Sequence, residues 1–84
     1  MISESATILI VEDEQDIREL LAYNLEKEGY AVTVAADGGQ GLAKFRAIKP
    51  DLVLLDLNLP GADGMTVLRT LRQTDRETRV LILS

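Results

Sequence analysis

The sequence predicts an α/β fold in which an open parallel β-sheet carries helices on both faces. Four short runs rich in Val, Leu and Ile alternate with three segments in which apolar residues recur at helical spacing. The chain has 84 residues, which allows one small domain. Strands that are separated by helices need crossover connections, and such connections make the strands parallel. The predicted order of elements is therefore βαβαβαβ.

The first strand and the first helix follow from two different patterns. The continuous run at residues 7–11, which is rich in β-branched residues, is typical of a strand that is buried on both faces of a parallel sheet. Acidic residues crowd the start of the helix that follows, and Gly29 is a natural stop after it. The residues that share one face of this helix are Ile17, Leu20, Leu21, Asn24, Leu25 and Glu28.

The middle of the chain predicts two strands around a short second helix. Residues 30–36 are rich in β-forming residues and predict strand 2. A turn or helix start at residues 37–39 leads into helix 2, which Pro50 ends. The apolar residues of this helix are Leu42, Phe45 and Ile48. Residues 51–57 form the most apolar stretch, so we expect them to be the central strand 3.

The last part of the chain predicts a loop, a third helix and a fourth strand. Residues 58–64 have the composition of a loop, with Asp63 as a plausible N-cap of helix 3. The helical spacing is carried by Met65, Leu68, Leu71 and Arg72. A polar connection at residues 74–78 then leads to strand 4 at residues 79–83.

The composition excludes several classes of function. Without cysteine the chain has no disulfide, thiolate metal site or cysteine nucleophile, and without histidine it has no histidine-based catalytic triad. Fourteen acidic against nine basic residues, a formal net charge of −5, argue against a nucleic-acid-binding surface. The apolar run at residues 8–11 is too short for a signal peptide or a membrane span. We therefore expect a cytoplasmic protein that makes no contact with a membrane.

Acidic and hydroxyl side chains follow three of the predicted strands. Strand 1 is followed by Glu12 and Asp13, strand 3 by Asp56 and strand 4 by Ser84. Ligands of open α/β sheets bind outside the carboxyl ends of the strands, where these residues meet if strands 1, 3 and 4 are neighbours. Clustered carboxylates either raise their pKa values or bind a cation, and Mg²⁺ prefers such oxygen ligands. A cation beside a carboxylate and a phosphate is the arrangement that phosphoryl transfer needs.

Each of these residues alone also has a purely structural interpretation. Asp13 could be the N-cap of helix 1, Glu12 a surface acid and Ser84 a solvated serine. Asp56 is harder to explain in this way, because a carboxylate that ends an apolar strand is costly to bury unpaired. The four residues together, in this order, favour a functional site.

The residues around the strand ends resemble the receiver domain of bacterial response regulators, and most closely those of the winged-helix transcription-factor subfamily. The motifs are VED at residues 11–13, LLDLNLPG at 54–61, DG at 63–64 and LILS at 81–84. The resemblance extends over the whole chain. It implies a flavodoxin-like sheet with strand order 2-1-3-4. It also implies a phosphorylation-controlled switch in two-component signal transduction, and not a conventional enzyme.

The resemblance implies a role for each residue of the predicted site. Asp56 would accept a phosphoryl group from a phosphohistidine of a sensor histidine kinase. Asp13 would bind Mg²⁺ directly together with Asp56, and Glu12 would bind it through water. Asn58 would offer its backbone carbonyl to the metal ion, and Ser84 would be the switch hydroxyl that bonds a phosphoryl oxygen.

The resemblance also implies that residues 1–84 are a partial receiver domain. The family fold has five βα units, and this sequence supplies three and a half, without the last helix-strand-helix and without an output domain. DNA binding would therefore belong to a domain outside this sequence. We expect the open edge of strand 4 to pair with a second copy, and phosphorylation of the chain to be impaired. Pro60 and Gly61 would shape the loop, and Gly64 would let helix 3 begin close to it.

Three other functions fit the sequence less well. A Mg²⁺-dependent phosphohydrolase resembling the haloacid dehalogenases needs an acid two residues after its nucleophile, where this chain has Asn58. A nucleotide-binding module needs a phosphate loop after strand 1, where the acids at residues 12–14 would repel a phosphate. A structural receiver without phosphorylation chemistry would not need the three acids.

Overall fold

The computed structural model describes residues 6–59 and 64–83 and contains the predicted order of elements. The strands are β1 (Thr7–Val11), β2 (Ala31–Ala35), β3 (Leu52–Leu55) and β4 (Arg79–Ile82). The helices are α1 (Gln15–Lys27), α2 (Gly38–Ile48) and α3 (Gly64–Thr74). The prediction of alternating strands and helices is therefore confirmed, although β2 and β3 are shorter than the sequence suggested.

The four strands form one parallel sheet in the order β2-β1-β3-β4. Strand β1 pairs with β2 on one side and with β3 on the other, with Val11 opposite both Ala35 and Leu55. This arrangement confirms the flavodoxin-like order 2-1-3-4. It also places β1 and β3 in the centre, where their apolar sequences bury both faces.

Alternate residues of the central strands build two separate apolar clusters. One cluster joins the sheet to α2 and α3 and contains Leu9, Val11, Val53, Leu55, Phe45, Val67 and Leu71. The other contains Ile8, Ile10 and Leu54, against which Leu21 and Leu25 of α1 pack. Because successive side chains of a strand point to opposite faces, one continuous apolar run supplies both clusters.

The ends of the helices follow from capping and from backbone conformation. Glu14 occupies the N-cap of α1 without a side-chain hydrogen bond, so the interpretation of Asp13 as this N-cap is wrong. Gly29 follows α1 with a φ of 99°, a left-handed conformation that favours glycine, as predicted. Asp37 caps α2 by accepting a hydrogen bond of 2.8 Å from the backbone N–H of Gln40. The predicted N-cap Asp63 lies outside the described residues.

Helix α1 is less buried than its apolar spacing suggested. Ile17 and Leu20 are exposed by 42% and 62%, and α1 contains no buried residue. The physical reason is the position of the helix, which packs against the strands β1 and β2.

Strand β4 forms an edge of the sheet, and its Leu81 and Ile82 are exposed. Pairing of this edge with a second copy stays a prediction.

A compact hydrogen-bond network closes the connection between α3 and β4. Arg72 is half-buried and donates hydrogen bonds to the carbonyl oxygens of Asp75 and Thr78, at 3.3 and 2.6 Å. The Asp75 carboxylate accepts from the Thr78 hydroxyl and from the N–H groups of Glu77 and Thr78. These bonds, the Thr78 hydroxyl above all, lower the pKa of Asp75. The connection is thus held at the end of the sheet opposite to the carboxyl ends of the strands.

The packing of β1 predicts a large stability loss when a central side chain is shortened. Leu9 has no exposed surface, so Leu9→Ala should lower the free energy of unfolding by about 2–5 kcal/mol. Leu20→Ala, which removes the same atoms from an exposed position, should change it by less than about 0.5 kcal/mol. Urea unfolding followed by circular dichroism measures both values. Equal losses in the two variants would contradict the described core.

Candidate functional site

The carboxyl ends of β1 and β3 bring three acidic side chains together. Val11 lies opposite Leu55 in the parallel ladder, and the N–H of Asp56 continues it by donating to the Val11 carbonyl at 3.0 Å. The residues that follow the two strands are therefore neighbours. Carboxylate oxygens of Glu12, Asp13 and Asp56 lie within 4.8 Å of one another. The structure thus assembles the acidic cluster for which the sequence argued.

Glu12 is buried, so its interpretation as a surface acid is wrong. Only 4% of its surface is exposed. Its backbone N–H donates to the Ala35 carbonyl at 3.0 Å, and its carboxylate accepts the N–H of Glu14 at 3.0 Å. Burial raises the pKa of Glu12 above its ordinary value, and the nearby charge of Asp56 raises it further, against the Glu14 hydrogen bond. The charged form of the Glu12 carboxylate is therefore less favourable in this site than in water.

Asp56 is also buried, and a neighbouring backbone N–H orients its carboxylate. Its exposure is 7%, and its Oδ1 accepts a hydrogen bond of 2.8 Å from the N–H of Asn58. Asn58 itself is exposed and lines the same cleft. The local turn after β3 therefore fixes the rotation of the Asp56 side chain. Asp56 also lines the cleft.

Gly64 allows α3 to begin directly beside this turn. Its N–H donates to the Leu57 carbonyl at 3.0 Å. A Cβ atom at position 64 would lie 2.3 Å from the Leu57 Cα and 2.7 Å from the Asp56 carbonyl oxygen, which no side chain tolerates. The close approach of backbone to backbone explains why glycine stands here. The loop residues Pro60 and Gly61 lie outside the described residues.

The acidic cluster lines a cleft of about 490 Å³ at the carboxyl end of the sheet. Its walls combine acids with apolar side chains, namely Glu12, Asp13, Glu14, Asp56, Asn58, Ile17, Leu21 and Leu83. Hard carboxylate oxygens, one of them on the exposed Asp13, fit a divalent cation such as Mg²⁺. A cation would also offset the charge that raises the Glu12 pKa. The predicted switch residue Ser84 lies outside the described residues.

Arg18 contacts the site although the sequence argument did not include it. Its Nη1 donates hydrogen bonds to the carbonyl oxygens of Glu12 and Asp13, at 2.9 and 3.3 Å. The available signal was its place in the fourth position of α1, because helical side chains lean toward the N-terminus of their helix. An arginine at this position can reach the turn that carries the acids.

A comparison with protein families gives one match that covers nearly the whole chain. Residues 8–84 match the family described as response regulator receiver domain. This stretch includes all three acids of the cluster, together with Asn58 and Ser84.

Individual proteins agree with the family match. The chain is 48% identical over 81 residues to the uncharacterized transcriptional regulatory protein YkoG of Bacillus subtilis, covering 96% of this chain and 36% of YkoG. It is 44% identical to sporulation initiation phosphotransferase F of the same organism, covering 92% of this chain and 62% of that protein. The structure of chemotaxis protein CheY4 of Vibrio cholerae superposes with a TM-score of 0.90 at 31% identity, covering 94% of this chain and 68% of CheY4. The chain thus spans about a third of the transcriptional regulator and under two thirds of the phosphotransferase.

The close approach at Gly64 predicts that an added methyl group disturbs the Asp56 turn. Gly64→Ala should lower the free energy of unfolding by about 1–3 kcal/mol and shift the amide resonances of Leu57 and Asn58. The matched control is Gly39→Ala, whose Cβ would meet its nearest neighbour at 3.5 Å, an ordinary contact. Urea unfolding and two-dimensional NMR measure both effects. Gly64→Ala behaving like Gly39→Ala would refute the described turn.

Because the pKa of Glu12 is raised, we predict that removing its charge increases the free energy of unfolding, and that this increase depends on pH. Above its ordinary value of 4.5, the folded state binds more protons at Glu12 than the unfolded state. The free energy of unfolding therefore falls as pH rises from 4.5 through the folded pKa. Glu12→Gln should stabilise the chain at pH 7 and lose this advantage at pH 4, whereas the exposed Glu26→Gln should show no such difference. Urea unfolding at both pH values measures these effects. An equal effect of Glu12→Gln at both pH values would contradict a raised pKa of Glu12.

Proposed function

Because the chain belongs to the response regulator receiver domain family, we propose that Asp56 is its phosphoacceptor in a two-component signalling system. The observation that carries this proposal is the buried acidic cluster, in which Asp56 meets Glu12 and Asp13 at the end of the sheet. Receiver domains are signalling modules whose partners are histidine kinases or phosphotransferases. Asp56 would be the carboxylate that accepts the phosphoryl group from such a partner.

The proposed reaction transfers one phosphoryl group from a phosphohistidine to Asp56. A carboxylate oxygen of Asp56 attacks phosphorus and forms an O–P bond, while the P–N bond to the partner's imidazole breaks and its electron pair stays on nitrogen. The Asn58 N–H supports this step by fixing the rotation of the carboxylate at Oδ1. Phosphorylation replaces the single charge of Asp56 by about two negative charges.

We assign Asp13, Glu12 and Asp56 as the residues that hold Mg²⁺ at this site, with the Asn58 carbonyl as a further ligand. The hard oxygen donors of the cluster and the closeness of their three carboxylates support this assignment. When bound, the cation supplies charge neutralisation at the transferred phosphoryl group. Asp13, whose side chain is exposed, would bind the cation directly, and buried Glu12 would bind it through water.

We propose that phosphorylation changes a protein–protein contact, with Ser84 as the hydroxyl that bonds the phosphoryl oxygen. A new bond between Ser84 and the phosphoryl group would be a local event that can bias a two-state element. Similarity to a transcriptional regulator supports transcription as the output of the whole protein.

Within residues 6–59 and 64–83, no helix has the length and apolar character needed to cross a membrane. A cytoplasmic location is part of the same proposal.

The test of this function is phosphoryl incorporation with acetyl phosphate and Mg²⁺, followed by intact-mass spectrometry. Because phosphorylation of this partial receiver is expected to be impaired, the mass of one phosphoryl group should appear on a minor fraction of the chain, and Asp56→Asn should abolish this gain because an amide cannot be the nucleophile. The matched control is Asp51→Asn at the opposite end of β3, which keeps an oxygen for the Thr7 N–H. Equal labelling of Asp56→Asn and the unaltered chain would refute the assignment of Asp56.

A further inference from the structure

We propose that Arg18 is a positioning residue, which holds the turn after β1 so that the Asp13 carboxylate faces Glu12 and Asp56. This inference rests on the proposed function, because it concerns the affinity of the same site for Mg²⁺. Arg18 is half-buried and reaches back over the first turn of α1 to two backbone carbonyls. The side-chain hydrogen bonds described for Arg18 go to these backbone carbonyls, so we infer an indirect action on the ligand oxygens.

The two carbonyls that Arg18 binds belong to the peptide units on either side of Asp13. One is the Glu12 carbonyl at 2.9 Å, and the other is the Asp13 carbonyl at 3.3 Å. Fixing both peptide units fixes the direction of the Asp13 Cα–Cβ bond, and this limits where its carboxylate can lie. The Arg18 backbone N–H also donates to the Glu14 carbonyl at 2.9 Å, so one residue anchors the whole turn to α1.

Asp13 depends on this anchoring more than its two neighbours do. The Glu12 backbone is tied to β2 through Ala35, and its carboxylate accepts the Glu14 N–H. Asp56 is tied to β1 through Val11, and its carboxylate accepts the Asn58 N–H. Asp13 is the exposed member of the cluster and stands in the turn beyond the ladder. The Arg18 side chain therefore holds the backbone at Asp13, as hydrogen bonds to neighbouring strands hold the backbone at Glu12 and Asp56.

The charge of Arg18 acts on Mg²⁺ in the opposite direction to its hydrogen bonds. A guanidinium beside the site repels a divalent cation, so removing the charge alone would strengthen Mg²⁺ binding. Removing the hydrogen bonds would loosen the turn and thereby weaken Mg²⁺ binding. In the part of the chain that the structure describes, the guanidinium bonds carbonyls and leaves the carboxylate oxygens of the cluster to a cation. Because the two effects differ in sign, Mg²⁺ affinity separates them.

The experiment is a Mg²⁺ titration of the chain and two variants, followed by the amide resonances of residues 12–14 and 56–58. Arg18→Met keeps the apolar stem of the side chain and removes its donors, and we expect it to weaken Mg²⁺ binding about tenfold. Arg72→Met is the matched control, because Arg72 is also half-buried and also bonds two backbone carbonyls, at the opposite end of the sheet. It should lower stability without changing Mg²⁺ affinity. Without Mg²⁺, Arg18→Met should also shift the amide resonances of Asp13 and Glu14.

Each other result of the titration overturns a different part of the inference. Tighter Mg²⁺ binding by Arg18→Met, or unchanged binding with unmoved amide resonances of Asp13 and Glu14, would refute positioning while leaving the proposed function intact. Absence of Mg²⁺ binding in the unaltered chain would refute the metal site itself, and the role of Arg18 with it.

A second variant keeps the test decisive if Arg18→Met does not fold. Arg18→Lys retains the charge and shortens the reach of the donor, so we expect a smaller loss of Mg²⁺ affinity with displaced amide resonances at Asp13. Affinity and resonances equal to those of the unaltered chain would again overturn positioning.

Discussion

The parallel pairing of β1 with β3 is the constraint on which the rest of the site depends. The ladder sets Val11 opposite Leu55, and the Asp56 N–H extends it by one more bond. The residues that follow these strands therefore stand side by side, although they are more than forty positions apart in the sequence. A slip of the register by one residue would exchange the faces of the strand and separate the acids. Because both faces of β1 pack into apolar clusters, such a slip would also require both clusters to repack.

The site places charge where the fold would otherwise place apolar side chains. Glu12 and Asp56 directly follow the buried apolar residues of β1 and β3 and are themselves buried. Burial and repulsion from Asp56 raise the pKa of Glu12, so the cluster costs stability at neutral pH unless a cation offsets its negative charge. Local rules that a sequence breaks without a structural benefit are often functional. The hydrogen bonds from the backbone of Glu14 and Asn58 limit this cost and orient the carboxylates for chemistry.

Most of the fold was predictable because local pattern and packing agree. The order of elements, the stop at Gly29 and the central position of β3 all follow from residue types that act within a few positions. The exposure of Leu20 was not predictable, because helical spacing shows which residues share a face and not how much of that face the sheet covers. The burial of Glu12 was missed for the same reason, since only the position of β2 beside β1 encloses it.

The sequence by itself determined the chemical types at the site, since acids after two apolar strands can serve little purpose in a core. It did not determine the distances, because those depend on which strands pair and in which register. The tertiary structure alone decided that carboxylate oxygens of Glu12, Asp13 and Asp56 lie within 4.8 Å. It alone also placed Arg18 against the carbonyls that flank Asp13, because a side-chain contact of this kind arises only once α1 has packed on the sheet.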